Sequence, residues 1–429
     1  MQLNHLEQKA PQEWTLQALF TVAFLGLAAG VLMADMGLQS ISLSAIQKTF
    51  SINDAKLGAL QGLAGVLVGA ALAVPLARLS DIFSRKALLL CLIVVSAGMM
   101  VLSALAPSFE LFFIGRSASS IAEFAMIPLV YSMIPDLSPE RHRVLANLSF
   151  AAIMASGASA GFYFAADIVG AGSTLFDFVD IESWRKGFLF LSLVCVPVFL
   201  LGFLTQNPPR RVIETEEDTA ETSFLLFISS RWKTIVLFIC MAGFLMVAVQ
   251  ALNQLTTLAL ERRFNADPKD IGPALGTILL ITSLSCLPFA GLLDRVIGKF
   301  VGNAVRPMIM AIAAMIALPT LFLLTTSTES IDRAFILLAV FGFVTSTANA
   351  LVPTMLQDLA PAPLRARIFA IWSFIVSLFI ATGPMIAGAL SDSIFDGRLL
   401  TAISVTSIPA LVISAFSAGF LFILLRKKS

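Results

Sequence analysis

Apolar residues in this chain come in runs of about twenty, long enough for a helix rising 1.5 Å per residue to cross hydrocarbon about 30 Å thick. Such runs recur from Leu16 to Leu425. They predict helical spans over 15–42, 56–78, 86–106, 110–134, 144–169 and 187–205, and again over 232–260, 272–293, 306–326, 332–357, 366–391 and 400–425. Most polar breaks between runs are short. The exception is 206–231, with its NPPRR stretch and the acidic Glu214, Glu216, Glu217 and Asp218. A polar, Pro-containing segment at the midpoint divides the pattern into six spans plus six. The expected organisation is an N-terminal segment 1–14, a six-helix bundle 15–205, a linker 206–231, a second six-helix bundle 232–425 and a tail 426–429.

Composition agrees with a chain living in lipid. Of 429 residues, 58% are hydrophobic and 13% charged, whereas soluble domains carry about 25% charged residues. The net charge of +1 gives nucleic acid no electrostatic footing. Cys91, Cys195, Cys240 and Cys286 lie in apolar runs without metal-site spacing and read as small packing residues. The N-terminus lacks a short apolar core with a cleavage pattern, so the first span is expected to stay. Lys and Arg placement sets orientation. With both termini cytoplasmic, eighteen of the 28 Lys and Arg fall inside and nine outside, while Arg116 falls within a span.

The two halves echo each other. VPLARLSD ends at Asp81 and LPFAGLLD at Asp294, with Pro75 and Pro288 at the same spacing before the acid. DLSPERHR from Asp136 is matched by DLAPAPLRAR from Asp358. Two matches in the same order indicate an internal repeat, and two pseudo-symmetric six-helix halves suit a transporter that rocks around a central cavity.

Away from the span ends, the clear ionisable residues within the predicted hydrocarbon are Asp35, Arg116 and Glu123. Facing lipid, each would cost roughly 2.5 to 3.5 kcal/mol or more, so they are expected to face the bundle interior or a water-filled cavity. Arg116 and Glu123 share a helix face about 10 Å apart. Counting along the antiparallel first and fourth spans puts Asp35 level with Arg116, its better partner. Three readings stand: a buried structural pair with a spare neutral acid, an acid that titrates and exchanges Arg116 as partner, and a mis-set span that leaves Asp35 in water.

Other intramembrane polar and aromatic positions are candidates for a substrate cavity: Gln250, Asn253, Gln254 and Asn349, with Phe112, Phe124 and Tyr131 beside the span-four charges. Interhelical hydrogen bonds and ordinary packing account for them equally well. Gly157-Ala158-Ser159-Ala160-Gly161 fits the Gly-x-Ser-x-Gly spacing of a nucleophile elbow, but in an apolar helical run it reads as a small-residue packing face. No phosphate loop, metal cluster or catalytic constellation appears, so an enzyme, a bound cofactor and ATP-driven transport are not expected.

ARLSDIFSRK, from Ala77 to Lys86, resembles the loop signature of the major facilitator superfamily, Gly-x-x-x-Asp-Arg-x-Gly-Arg-Arg/Lys. Asp81, Arg85 and Lys86 match, while Ala77, Ile82 and Ser84 depart. With the second copy at Asp294 and Arg295, these residues are expected to form gating latches. Most of the N-terminal half is similar to the spinster-like branch: Asp35, Asp54 within SINDAKLG, VPLARLSDIFSRK, RSASSIAE from Arg116 to Glu123, and SWRKGF from Ser183. ATGPMIAGALSD from Ala381 also fits. Met36 stands where the branch has Arg, and Ser120 and Ala122 where it has Gly. The resemblance implies an all-α membrane protein of twelve transmembrane helices in the major facilitator fold. It implies further that Asp35 and Glu123 couple or gate, with Arg116 as their partner and the proton as coupling ion, and that the substrate is a lysophospholipid or related amphiphile. A broad organic-solute or drug/proton antiporter is the alternative, and a passive facilitator or a receptor the alternative of another class. A monomer in a bacterial inner membrane is expected.

Overall fold

A computed structural model of the protein describes residues 13–67, 69, 83–208, 220–326, 329–359 and 365–426. Every regular element among the described residues is helical. The first half comprises α1 (Leu16–Ile41), α2 (Leu43–Phe50), α3 (Asp54–Ala59) continuing as a π-helix (Leu60–Leu67), α4 (Arg85–Leu105), α5 (Phe109–Leu137), α6 (Arg143–Tyr163), α7 (Ala165–Leu175) and α8 (Ser183–Gly202). The second comprises α9 (Ala220–Phe264), α10 (Pro268–Val301), α11 (Val305–Thr326), α12 (Ile331–Asn349), α13 (Val352–Leu359), α14 (Arg365–Ser393) and α15 (Leu399–Arg426). Eleven helices among the described residues are long and apolar enough to cross a membrane. The predicted span 56–78 is described only through residue 67 and at residue 69, where it is helical or π-helical.

Helix starts follow local sequence. Thr15, Ser84 and Ser108 accept hydrogen bonds from the backbone N–H groups of Ala18, Ala87 and Leu111, satisfying donors that have no intrahelical partner. Three boundaries differ from the sequence pattern. The fifth span bends at Phe164, between α6 and α7. The tenth breaks after Asn349 and restarts as α13, with Pro353 in the first turn, where its missing N–H costs nothing. The linker expected over 206–231 is already helical from Ala220, kinked at Arg231.

Packing repeats between the halves. α1 lies along α6 as α9 lies along α14, and α4 joins α5 and α8 as α11 joins α12 and α15. The α1–α6 contact depends on missing side chains. A Cβ on Gly157 would lie 2.5 Å from the Gly30 Cα, and one on Gly161 2.3 Å from the Ala34 carbonyl oxygen. The Gly157–Gly161 run is thus a close-packing face, and it holds the Asp35 segment of α1 rigidly in place. Many large apolar side chains, among them Ile114, Leu200, Ile281 and Phe416, lie exposed on the outside, where lipid is their natural solvent.

Two cations in the first turn of α8 are buried. The Arg185 guanidinium donates to the Ala104 and Ala106 carbonyls at 2.9 and 2.7 Å, closing the C-terminal end of α4, and pairs with Glu182 at 2.6 Å. It also lies over the Phe50 and Trp184 rings. Lys186 is buried beside it.

Candidate functional site

The three intramembrane charges converge. Arg116 Nη1 donates to Asp35 Oδ2 at 2.5 Å, with Asp35 wholly buried and Arg116 5% exposed. The reading that leaves Asp35 in open water therefore falls. The Arg116 guanidinium stacks over the Phe188 ring of α8 at 5.4 Å. Glu123 is buried two turns along α5 and does not pair with Arg116; Ser119 lies between them. Its hydroxyl reaches Asp35 Oδ2 at 3.1 Å and Glu123 Oε1 at 3.4 Å, with Ser96 Oγ also at 3.4 Å. Ser119 went unremarked in the sequence, although its offsets from Arg116 and Glu123 put all three on one helix face.

This network has spare capacity. Asp35 Oδ1 and Arg116 Nε are buried without partners, so the ion pair uses one N–H and one oxygen where a bidentate fork was available. One Ser119 proton serves two acids and can donate to only one at a time. Replacing Ser119 by alanine is expected to shift the pH midpoint of transport by an amount worth about 1 kcal/mol, roughly fivefold in proton affinity, while Ser119→Thr restores it. Superimposable pH profiles for wild type and Ser119→Ala would leave the hydroxyl a packing role only.

The halves meet at the end of the bundle where α1 gives way to α2, opposite the termini. Both Asp54 oxygens accept from Arg262, at 2.6 and 2.7 Å, and the same carboxylate accepts from Ser391 Oγ at 2.6 Å and Gln47 Nε2 at 2.9 Å. Asp392 in turn accepts from the backbone N–H groups of Asp54 and Ala55, opening α3. Deeper in, Ser40 bonds Thr257 at 2.9 Å, while Gln61 accepts from Gln39 and donates to the Gln254 carbonyl. Backbones touch here too: a Cβ on Gly62 would stand 2.2 Å from the Ala381 carbonyl oxygen. Along α10, Gly272 and Gly276 press on the α6 backbone, whereas Gly291, further toward the termini, has no neighbour within 4 Å of an added Cβ. The bundle is sealed at the Asp54 end.

A cavity of about 260 Å³ lies beneath the seal, between the halves. Gln250, Asn253 and Gln254 line it from α9, facing Met33, Met36 and Phe162. The other sequence candidates lie elsewhere. Phe112 is fully buried among Phe50, Trp184 and Phe188, Phe124 packs on Gly69, Tyr131 is exposed against Phe150, and Asn349 is exposed at the end of α12. Asp35, Arg116 and Glu123 are absent from the cavity wall.

At the termini end the loop residues pair within their own halves. Asp81 lies outside the described residues. Arg85 pairs with Asp136 at 2.7 Å and donates to the Ser132 and Pro208 carbonyls, while Lys86 holds the Phe203 and Thr205 carbonyls. In the second half, Asp294 and Asp358 both pair with Arg306. The cation on Asp294 is therefore Arg306 and not the adjacent Arg295, which is exposed. The echo between Asp136 and Asp358 thus reappears as a repeated Asp–Arg pair.

The pattern that defines the Major Facilitator Superfamily matches residues 25–384. A search of curated proteins found no match. Among solved structures, the chain is similar to a bacterial homologue of the human lysosomal transporter Spinster in an inward-facing and unoccupied conformation, with a TM-score of 0.79 and 18% identity over 96% of this chain and 97% of that one. A structure of such a homologue in an inward-facing and occupied conformation gives a TM-score of 0.79 and 19% identity over 96% and 98%. At these identities the likeness is one of fold.

Proposed function

The chain belongs to the Major Facilitator Superfamily, and on that premise we propose that it is a proton-coupled secondary transporter of the spinster-like kind. It moves a lysophospholipid or related small amphiphile by alternating access. With both termini in the cytoplasm of a bacterial cell, the seal at Asp54 closes the outer face. Transport and membrane embedding follow from the family and the apolar helices; coupling ion, substrate and a monomeric state are the reading added here.

The observation that carries it is the buried pair of Asp35 and Arg116, joined to Glu123 through Ser119. Glu123 is the buried acid next to that pair and shares the Ser119 hydroxyl with Asp35, so it is the residue assigned to carry the coupled proton. Protonation and deprotonation of Glu123 then change what Arg116 and Ser119 can bind, and α1 and α5 carry that change to the helices around the cavity.

Proteoliposome flux tests the reading. Uphill movement of a fluorescent lysolipid driven by an imposed pH gradient, with proton movement in the same vesicles, is the expected result. Downhill flux without proton movement would make the protein a facilitator, and a ligand that binds without flux would make it a receptor.

A further inference from the structure

Among the described residues that line the cavity between the halves there is no Lys, Arg, His, Asp or Glu. Its two sides differ. The face from the first half offers Met33, Met36 and Phe162, two flexible thioethers and a ring that adapt to an alkyl chain. The face from the second half offers Gln250, Asn253 and Gln254, at i, i+3 and i+4 on α9 and so on one side of the helix. Among the described residues none of these three side-chain amides has a protein hydrogen-bond partner. Each presents both donors and an acceptor to the cavity. Asn253 is exposed and the other two are half-buried.

We propose that this wall is a headgroup site for an uncharged, multiply hydrogen-bonding amphiphile, such as a monoacylglycerol, with the acyl chain lying against the methionine face. The proposal rests on the amphiphile reading above and narrows it to the uncharged relatives of a lysophospholipid. An uncharged polyol exchanges its water hydrogen bonds for amide ones at little net cost. A phosphate or quaternary ammonium entering the same space loses its hydration without gaining a counter-charge. Arg116, the intramembrane cation of the first half, is committed to Asp35 and lies off the wall. Met36 is on this wall, so a cation introduced there supplies the missing counter-charge. At about 30 Å³ per water, the cavity holds about nine water volumes. That accommodates a polyol and the first methylenes, and the rest of a chain extends beyond the cavity.

Binding of three probes with the same fourteen-carbon chain to the purified full-length protein tests this: a monoacylglycerol, a lysophosphatidate and an alkyltrimethylammonium. The monoacylglycerol is expected to bind at least roughly tenfold more tightly than either ion. Asn253→Leu and Gln250→Leu are each expected to weaken it roughly fivefold. Met36→Arg, with folding checked by the unfolding temperature, is expected to move the preference to lysophosphatidate. Equal or tighter lysophosphatidate or alkylammonium binding in the wild type, or unchanged monoacylglycerol affinity in both leucine variants, overturns the headgroup site while leaving amphiphile transport standing. Binding of none of the three overturns the amphiphile reading and the site with it.

Discussion

Glu123→Gln is expected to abolish proton-driven uptake or efflux while leaving counterflow measurable. Glutamine keeps the shape of the side chain and can still bond the Ser119 hydroxyl, so the buried corner between α1 and α5 stays packed. What it removes is the proton that enters and leaves during the cycle. Coupling free energies between sites run to about 1 to 3 kcal/mol, so the loss of gradient-driven flux is expected to reach at least roughly 150-fold. Substrate exchange without a gradient needs no titration and survives. Wild-type pH dependence in the glutamine variant would remove Glu123 from the coupling path. Arg116→Ala gives a different signature: it leaves Asp35 buried and unpaired, an outcome that typically costs about 3 to 5 kcal/mol, and both gradient-driven flux and counterflow should drop.

Breaking the contact between Asp54 and Arg262 is expected to open the sealed end of the bundle. The carboxylate is 3% exposed and takes a two-pronged bond from Arg262 across the boundary between halves, with Ser391 and Gln47 filling its remaining positions. Arg262→Gln strips the charge partner from a nearly buried acid; because Arg262 is itself 30% exposed, water recovers part of the loss. A shift of about 2 kcal/mol, roughly thirtyfold in the ratio of closed to open, is the expected size. Spin labels at Lys56 and Ser393, both exposed on opposite sides of the seal, should report a longer and broader distance distribution. An unchanged distribution would mean that backbone contacts such as Gly62 on Ala381 hold the seal without the ion pair. Acid should act in the same direction. Burial opposes ionisation of Asp54, but Arg262, Ser391 and Gln47 outweigh it and hold its carboxyl below the ordinary carboxylate range. The contribution to closure is therefore complete above the ordinary carboxylate value and is lost as pH falls through the depressed one.

Much of this was legible in one sequence because the bilayer imposes a length on every span and a penalty on every buried charge. The runs of apolar residues marked the helices, the shared Pro–Asp spacing marked the repeat, and the isolation of Asp35, Arg116 and Glu123 in apolar surroundings marked the ionic site. The level count along antiparallel spans even paired Asp35 with Arg116. Ser119 escaped notice because serine is cheap in a helix and carries no charge to betray it. Arg185 was equally inconspicuous: a cation near a span end says nothing of its burial, and this one is consumed by two carbonyls, a carboxylate and two rings.

Local rules could not supply the contacts made between distant parts of the chain. Arg262 looked like one more loop cation until folding brought it to Asp54, 208 residues earlier. Asp294 pairs with Arg306, twelve residues on, and not with the adjacent Arg295, because a helix turn aims adjacent side chains in different directions. Phe112 left the cavity for the first-half aromatic cluster, and Met33 and Met36 joined Gln250, Asn253 and Gln254 around it. Periodicity, length and hydropathy act within a helix, so the sequence by itself determined which segments enter the membrane and which charges must hide there. Which residues seal the two halves, and what chemistry the cavity between them offers, depends on side chains meeting across helices, and only the tertiary structure decided it.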